Sequence, residues 1–260
     1  MIGTAMARGT VLAAVLALVA AGCGGSSAAP PQSPPTWEIE EAAPSSAGAP
    51  APSAVLAPKD PPAAAQPESR EDMPAARKLA TGTVPAPRPD QPSRGPLNAP
   101  VLIQVFSDFE CPFCAKTPPV LAGLEREFGA RVRLVWRALP LPGHALARES
   151  ATAALEAYAQ RGGATFWRVH DRLFVEASDG LTLPEIERVL ASEGVDVARY
   201  RESLKRGTRD AAIATDVAAA DATAVEGTPA YLINDYYLYG SQPIEVLRAL
   251  VERALEEHPH

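Results

Sequence analysis

The sequence predicts an α/β domain built in the order strand–helix–strand, helical block, strand–strand–helix. Three observations carry that expectation. Short apolar runs of strand length stand near both ends of the region from about residue 83 to 257. Apolar residues at helical spacing fill the sequence between them. Before this region, proline, alanine and serine dominate instead: more than half of the 27 prolines fall between Cys23 and Pro96, and Trp37 is the only aromatic there. Such a stretch cannot bury enough apolar surface to offset the entropy of ordering, so residues 23–82 are expected to form a disordered tether.

The elements of the domain follow in order. Val101–Phe106 is almost wholly apolar, which suits a central strand covered on both faces. After Cys111 and Cys114, Val120, Leu121, Leu124 and Phe128 recur at helical spacing, and Gly129 ends that helix. Pro118 and Pro119 lie within it and predict a kink, since neither has an N–H to donate. Val132, Leu134 and Trp136 alternate as a second strand, and the unit is long enough for a parallel crossover.

A helical insertion is expected over about 141–207. It comprises Ala145–Gln160, Phe166–Phe174, Leu183–Ser192 and Val197–Leu204. Thr182, Pro184 and Glu185 form a capped start for the third of these. Asp210–Thr223 adds a further helix. Ala230–Ile233 and Tyr236–Tyr239 pair about Asn234-Asp235, and Pro243–Leu255 closes the domain as an amphipathic helix.

The N-terminus reads as an address. Residues 1–22 carry one charge, Arg8, then an apolar run from Val11 to Ala21 that suits the core of a signal peptide better than a membrane span. Small residues lead into Cys23, and Leu18-Val19-Ala20-Ala21-Gly22-Cys23 resembles a bacterial lipobox. That resemblance implies cleavage before Cys23 and a lipid on its sulfur; ordinary signal cleavage with an incidental cysteine is the alternative. Either outcome puts the domain outside the cytoplasm, where disulfide chemistry is permitted. Gly24, where an Asp would favour inner-membrane retention, leaves outer-membrane sorting as the default in a host with two membranes. The roughly 60 residues after Cys23 span about 45 Å as a flexible coil.

The chain has three cysteines and a net charge of −7. Three cysteines exclude a disulfide-stapled scaffold, and no basic stripe marks a nucleic-acid surface. Cys111-Pro112-Phe113-Cys114 is the chemical centre. At a helix start, unpaired N–H groups favour the thiolate of the first cysteine, and the second lies within bonding distance one turn on. Pro112 suits a first turn. Cys111 is therefore the expected nucleophile and Cys114 the resolving thiol. Half of a zinc site is the competing interpretation; it lacks further ligands, because His144, His170, His258 and His260 are scattered along the chain. His170 and Trp167 are expected to pack within their helix.

The element order, together with Phe106-Ser107-Asp108-Phe109-Glu110-Cys111-Pro112-Phe113-Cys114, the segment Phe166–Phe174 and Gly227-Thr228-Pro229-Ala230-Tyr231-Leu232-Ile233, resembles the DsbA-like thioredoxin-fold oxidoreductases. The resemblance covers about 82–256. It implies a thioredoxin fold with a helical insertion, and a cis bond at Pro229 that sets the Thr228 backbone beside Cys111, where an extended substrate would pair. Two departures stand out. The family's buried acid, six residues before the first cysteine, is replaced by Val105, with Gln104 beside it. Phe113 stands where strong oxidases often carry a histidine. Asp108, Glu110 or a water are the candidate replacements for the acid, and Glu110 should disfavour the thiolate.

The resemblance implies disulfide exchange on exported proteins, recycled by an unidentified redox partner; the Cys pair is itself the redox centre, so no organic cofactor or metal is expected, and because the segment before Thr83 is too poor in apolar residues for a dimerisation domain, a monomer is expected. The direction of electron flow stays open. The alternatives are a thioredoxin-fold copper metallochaperone and a binding lipoprotein with a purely structural Cys111–Cys114 disulfide.

Overall fold

The computed structural model describes residues 76–258. The expected signal peptide, Cys23 and residues 23–75 of the expected tether lie outside the described residues.

A six-stranded mixed sheet has the order β1-β6-β5-β3-β4-β2. Its strands are β1 (Arg77–Lys78), β2 (Ser93–Arg94), β3 (Val101–Ser107), β4 (Val132–Ala138), β5 (Ala230–Ile233) and β6 (Tyr236–Tyr239). The central strand β3 pairs parallel with β4 and antiparallel with β5. The parallel pair is joined by α1 (Thr117–Phe128). Between β4 and β5 come α2 (Ala147–Arg161), α3 (Gly163–Glu176), α4 (Leu183–Ser192), α5 (Val197–Arg206) and α6 (Asp210–Ala222). The closing helix α7 (Ile244–Glu257) follows β6. This is the thioredoxin fold with a helical insertion.

Side-chain alternation divides the strands between two cores. Val101, Ile103, Val105, Leu134, Trp136, Tyr231 and Ile233 join α1, α7 and the inserted helices in the larger one. Phe106, Ala230 and Leu232 face a smaller core with Ala219, Ala220 and Leu79. Both faces of β3 are thus covered, which explains its nearly unbroken apolar run. At the β5–β6 turn, Asn234 takes a positive φ of 46°. Its side chain accepts the Leu102 N–H at 2.8 Å and donates to the Pro100 carbonyl at 3.1 Å, which ties the hairpin to the start of β3.

Two boundaries depart from the sequence expectation. Ordered structure starts before residue 83: Arg77–Lys78 pairs with β6, Leu79 is buried, and the Leu79 N–H reaches the Asp235 carbonyl at 2.8 Å. The free edge of a short hairpin supplies hydrogen-bonding groups that a proline-poor stretch of tether can satisfy. Also, Pro118 and Pro119 do not kink a helix interior. They sit in the first turn of α1, where N–H groups have no intrahelical partner, and Cys114–Lys116 forms a separate 3₁₀ turn before it.

The start of α4 carries a full capping box. Thr182 Oγ1 accepts the Glu185 N–H at 3.4 Å, and Glu185 Oε2 accepts the Thr182 N–H at 2.8 Å. Thr182→Ala is expected to cost about 1 kcal/mol in urea denaturation; an unchanged midpoint would show that the box contributes nothing.

Candidate active site

The site is assembled by the end of β3, the turn that follows it and the loop before β5. Cys111 and Cys114 are both free thiols and both buried, Cys111 being 4% exposed. They do not lie at the start of α1, as the sequence alone suggests. The proline pair defers the α-helix to Thr117, so the cysteines occupy a turn and the 3₁₀ segment ahead of it. That turn is closed by the Cys111 N–H to the Asp108 carbonyl (3.2 Å) and the Cys114 N–H to the Cys111 carbonyl (3.0 Å).

The two thiols are unequal. A hydrogen bond from the Cys114 thiol is the main influence that lowers Cys111, to about 5. Burial opposes it, and Thr228 with the backbone N–H groups of Cys114 and Phe113 assists it. Local N–H groups thus take the part that a helix macrodipole would otherwise play. Cys114 is pushed well above the ordinary thiol range, first by burial and then by its bond to Cys111. Cys111 is thus the sulfur that ionises first and Cys114 the one that holds its proton.

Thr228–Pro229 is a cis peptide. Thr228 is 5% exposed, and its carbonyl lies 3.4 Å from Cys111 Sγ. Gly227 sits against the Tyr239 ring, where a Cβ would lie 3.0 Å from the hydroxyl and the half-exposed ring would have to give by a few tenths of an ångström. Pro112 lines a groove of about 360 Å³ with Cys111, Phe109, Ala115 and Ala177. Phe113 projects outward, 56% exposed, with the Lys116 ammonium 5.5 Å from its ring centre.

Val105 occupies the position of the missing acid, buried between Trp136 and Tyr231 on neighbouring strands. Both nearby carboxylates make other hydrogen bonds. Asp108 Oδ1 accepts the Glu110 N–H at 2.9 Å, and Oδ2 accepts the Leu141 N–H and meets His144 Nδ1, each at 2.8 Å. Glu110 Oε2 accepts the Leu146 N–H at 2.5 Å. His144 is the residue that sequence analysis missed. It lies 33 positions after Cys111, in a loop without periodicity, and only the fold brings it to the turn. His170 and Trp167 pack in an aromatic cluster with Phe109, Phe166 and Phe174. Among the described residues, no three His, Cys, Asp or Glu side chains gather as a metal site, and no helix is long and apolar enough to cross a membrane.

A buried dithiol turn facing a cis-proline loop, on a sheet of this order, defines a thioredoxin-fold protein with an oxidoreductase-type site. The chain belongs to the thioredoxin family, whose sequence profile matches residues 88–253. Solved structures agree. A thioredoxin-like oxidoreductase from Silicibacter pomeroyi is 26% identical, with a TM-score of 0.57 over 65% of this chain and 94% of that one. The catalytic domain of Proteus mirabilis ScsC (23% identical, TM-score 0.55, 64% and 90% covered) shares the fold, as does Bacillus subtilis BdbD (20%, 0.56, 64% and 94%). Among curated proteins, the Na(+)/H(+) antiporter NhaA 3 of Salinispora tropica is 39% identical over 162 residues, 62% of this chain. The match spans 24% of that relative, so the chain corresponds to about a quarter of the antiporter's length.

Proposed function

We propose that the protein is an extracytoplasmic protein thiol–disulfide oxidoreductase working through Cys111 and Cys114. The observation that carries this is the placement of two free, buried thiols against the cis Thr228–Pro229 loop, with Cys111 Sγ 3.4 Å from the Thr228 carbonyl and the two sulfurs shifted in opposite directions, Cys111 down and Cys114 up. In the reducing direction, the Cys111 thiolate attacks one sulfur of a substrate disulfide. A mixed disulfide forms and a substrate thiolate leaves. Cys114 gives up its proton to that leaving thiolate or to water, and its sulfur attacks Cys111. The second substrate thiolate departs, the enzyme pair is oxidised, and the substrate has gained two electrons. Oxidation of a substrate dithiol is the reverse sequence. The Cys pair is the redox centre, and no organic cofactor or metal takes part.

The substrate is an exported protein presenting an extended segment beside Thr228, with the groove at Pro112 and exposed Phe113 taking its apolar side chains. The signal-like segment and Cys23 support a domain tethered to the membrane by lipid at that cysteine, on the periplasmic side of the outer membrane where there are two, and the apolar-poor segment before Thr83 supports a monomer. A separate redox partner recycles the pair.

The redox potential tests this. A Cys111 near 5 falls between thioredoxin-like thiols, at about 7, and the strongest oxidases, at about 3.5. Equilibration with glutathione is expected to give a potential between about −270 and −120 mV. A pair that never equilibrates with glutathione would overturn the proposal. A value at the strong-oxidase limit would overturn the intermediate ranking.

A further inference from the structure

We propose that His144, clamped by buried Asp108 in the loop after β4, is a positioning cation of the redox site that favours the Cys111 thiolate by charge, in addition to the hydrogen bonds from Cys114, Thr228 and the backbone. The inference rests on the oxidoreductase reading above.

The geometry is a double strap. The active turn 108–111 and the loop 141–146 are far apart in sequence, yet Asp108 Oδ2 takes the Leu141 N–H and His144 Nδ1, and Glu110 Oε2 takes the Leu146 N–H. Asp108 also connects directly to the nucleophile, since its carbonyl accepts the Cys111 N–H. The Asp108 side chain has no exposed surface, and its charge is balanced by one ion pair among the described residues, that with His144. An ionised carboxylate only accepts hydrogen bonds, so His144 Nδ1 donates and Nε2 is the nitrogen that titrates.

The charges around the ring favour the cation. Asp108, Glu110 and the Cys111 thiolate face it from the active turn and together raise His144 above its ordinary value, although burial is the largest single influence and opposes them. Attraction between two charges is mutual: if the thiolate stabilises the imidazolium, the imidazolium stabilises the thiolate. This supplies from another loop the cation that Phe113 cannot provide between the cysteines. Lys116, the other cation at the groove, lies over the Phe113 ring.

The test is the pH dependence of Cys111 alkylation, read site by site by mass spectrometry on the full chain. His144→Asn removes the charge and keeps a donor for Asp108. It is expected to move the Cys111 midpoint upward by about one pH unit. His144→Lys keeps a charge without a group titrating near neutrality and is expected to stay near wild type. A His144→Asn profile superimposed on wild type would overturn the proposal. So would an equal shift in both variants, which would mean lost packing rather than lost charge. Alkylation needs no turnover. A shift in a chain that never equilibrates with glutathione would sink the oxidoreductase reading alone, and equilibration without a shift would sink His144 alone.

Discussion

Cys111→Ser is expected to abolish turnover in an insulin-reduction assay, while Cys114→Ser is expected to retain the first attack and accumulate a mixed disulfide. The difference follows from which sulfur is ionised. With Cys111 at about 5, well below the ordinary thiol range, it is the sulfur that supplies the thiolate near neutral pH, where an ordinary cysteine is a few per cent ionised. Serine offers no comparable nucleophile. In Cys114→Ser the attack on substrate remains possible, but no second sulfur releases the product. Cys114→Ala removes the hydrogen bond that chiefly lowers Cys111, so in that variant the Cys111 alkylation midpoint should rise. Wild-type alkylation should fall away only as pH drops through about 5. The same sign governs stability. The lowered Cys111 stabilises the reduced fold between about 5 and the ordinary thiol range, a contribution lost as pH falls through about 5, whereas above the ordinary thiol range the raised Cys114 opposes it. Equal turnover in wild type and both variants would remove the redox centre from consideration.

The second large effect is structural. Asp216→Ala is expected to cost about 3–5 kcal/mol in urea denaturation, because it leaves a buried guanidinium without its carboxylate. Asp216 on α6 is 0% exposed and Arg137 on β4 is 1% exposed. Asp216 Oδ1 accepts from Arg137 at 2.9 Å and from Arg88 at 2.8 Å, and Oδ2 accepts from Gln91 and the Ala138 N–H, each at 3.1 Å. Arg137 further donates to Gln104 at 2.7 Å and to the carbonyls of Pro85 and Ala86 at 3.1 Å. Burial pulls the Arg137 guanidinium down, and Asp216 opposes that pull. The double replacement Arg137→Met with Asp216→Leu should recover much of the loss, since it removes both charges at once. A loss below about 1 kcal/mol in Asp216→Ala would show that water or another group satisfies the arginine.

This network was not legible in the sequence. Val132, Leu134 and Trp136 announce one buried face of β4, and the alternating Arg133 and Arg137 suggest a wet one. Arg137 is dry because α6 and the segment around Pro85 cover that face, and both lie far from it along the chain. Helix and strand assignments within the domain transfer almost unchanged, because they depend on local periodicity. The capping box at Thr182 and the hairpin at Asn234 are equally local. The path of Arg77–Lys78 is not, since its partner β6 is about 160 residues away.

The chemistry divides along the same line. The sequence by itself determined the fold class, the cysteine pair, the Thr228-Pro229 loop, and the absence of an acid at Val105 and of a histidine at Phe113. All of these lie within short stretches of neighbouring residues. Only the tertiary structure decided that the cysteines precede α1 rather than begin it, because that depends on where two prolines can be accommodated. It alone decided that Asp108 is spent on a loop and a histidine, and that His144 reaches the active turn. Burial and charge act through space, and a buried carboxylate finds its partner wherever the fold returns the chain.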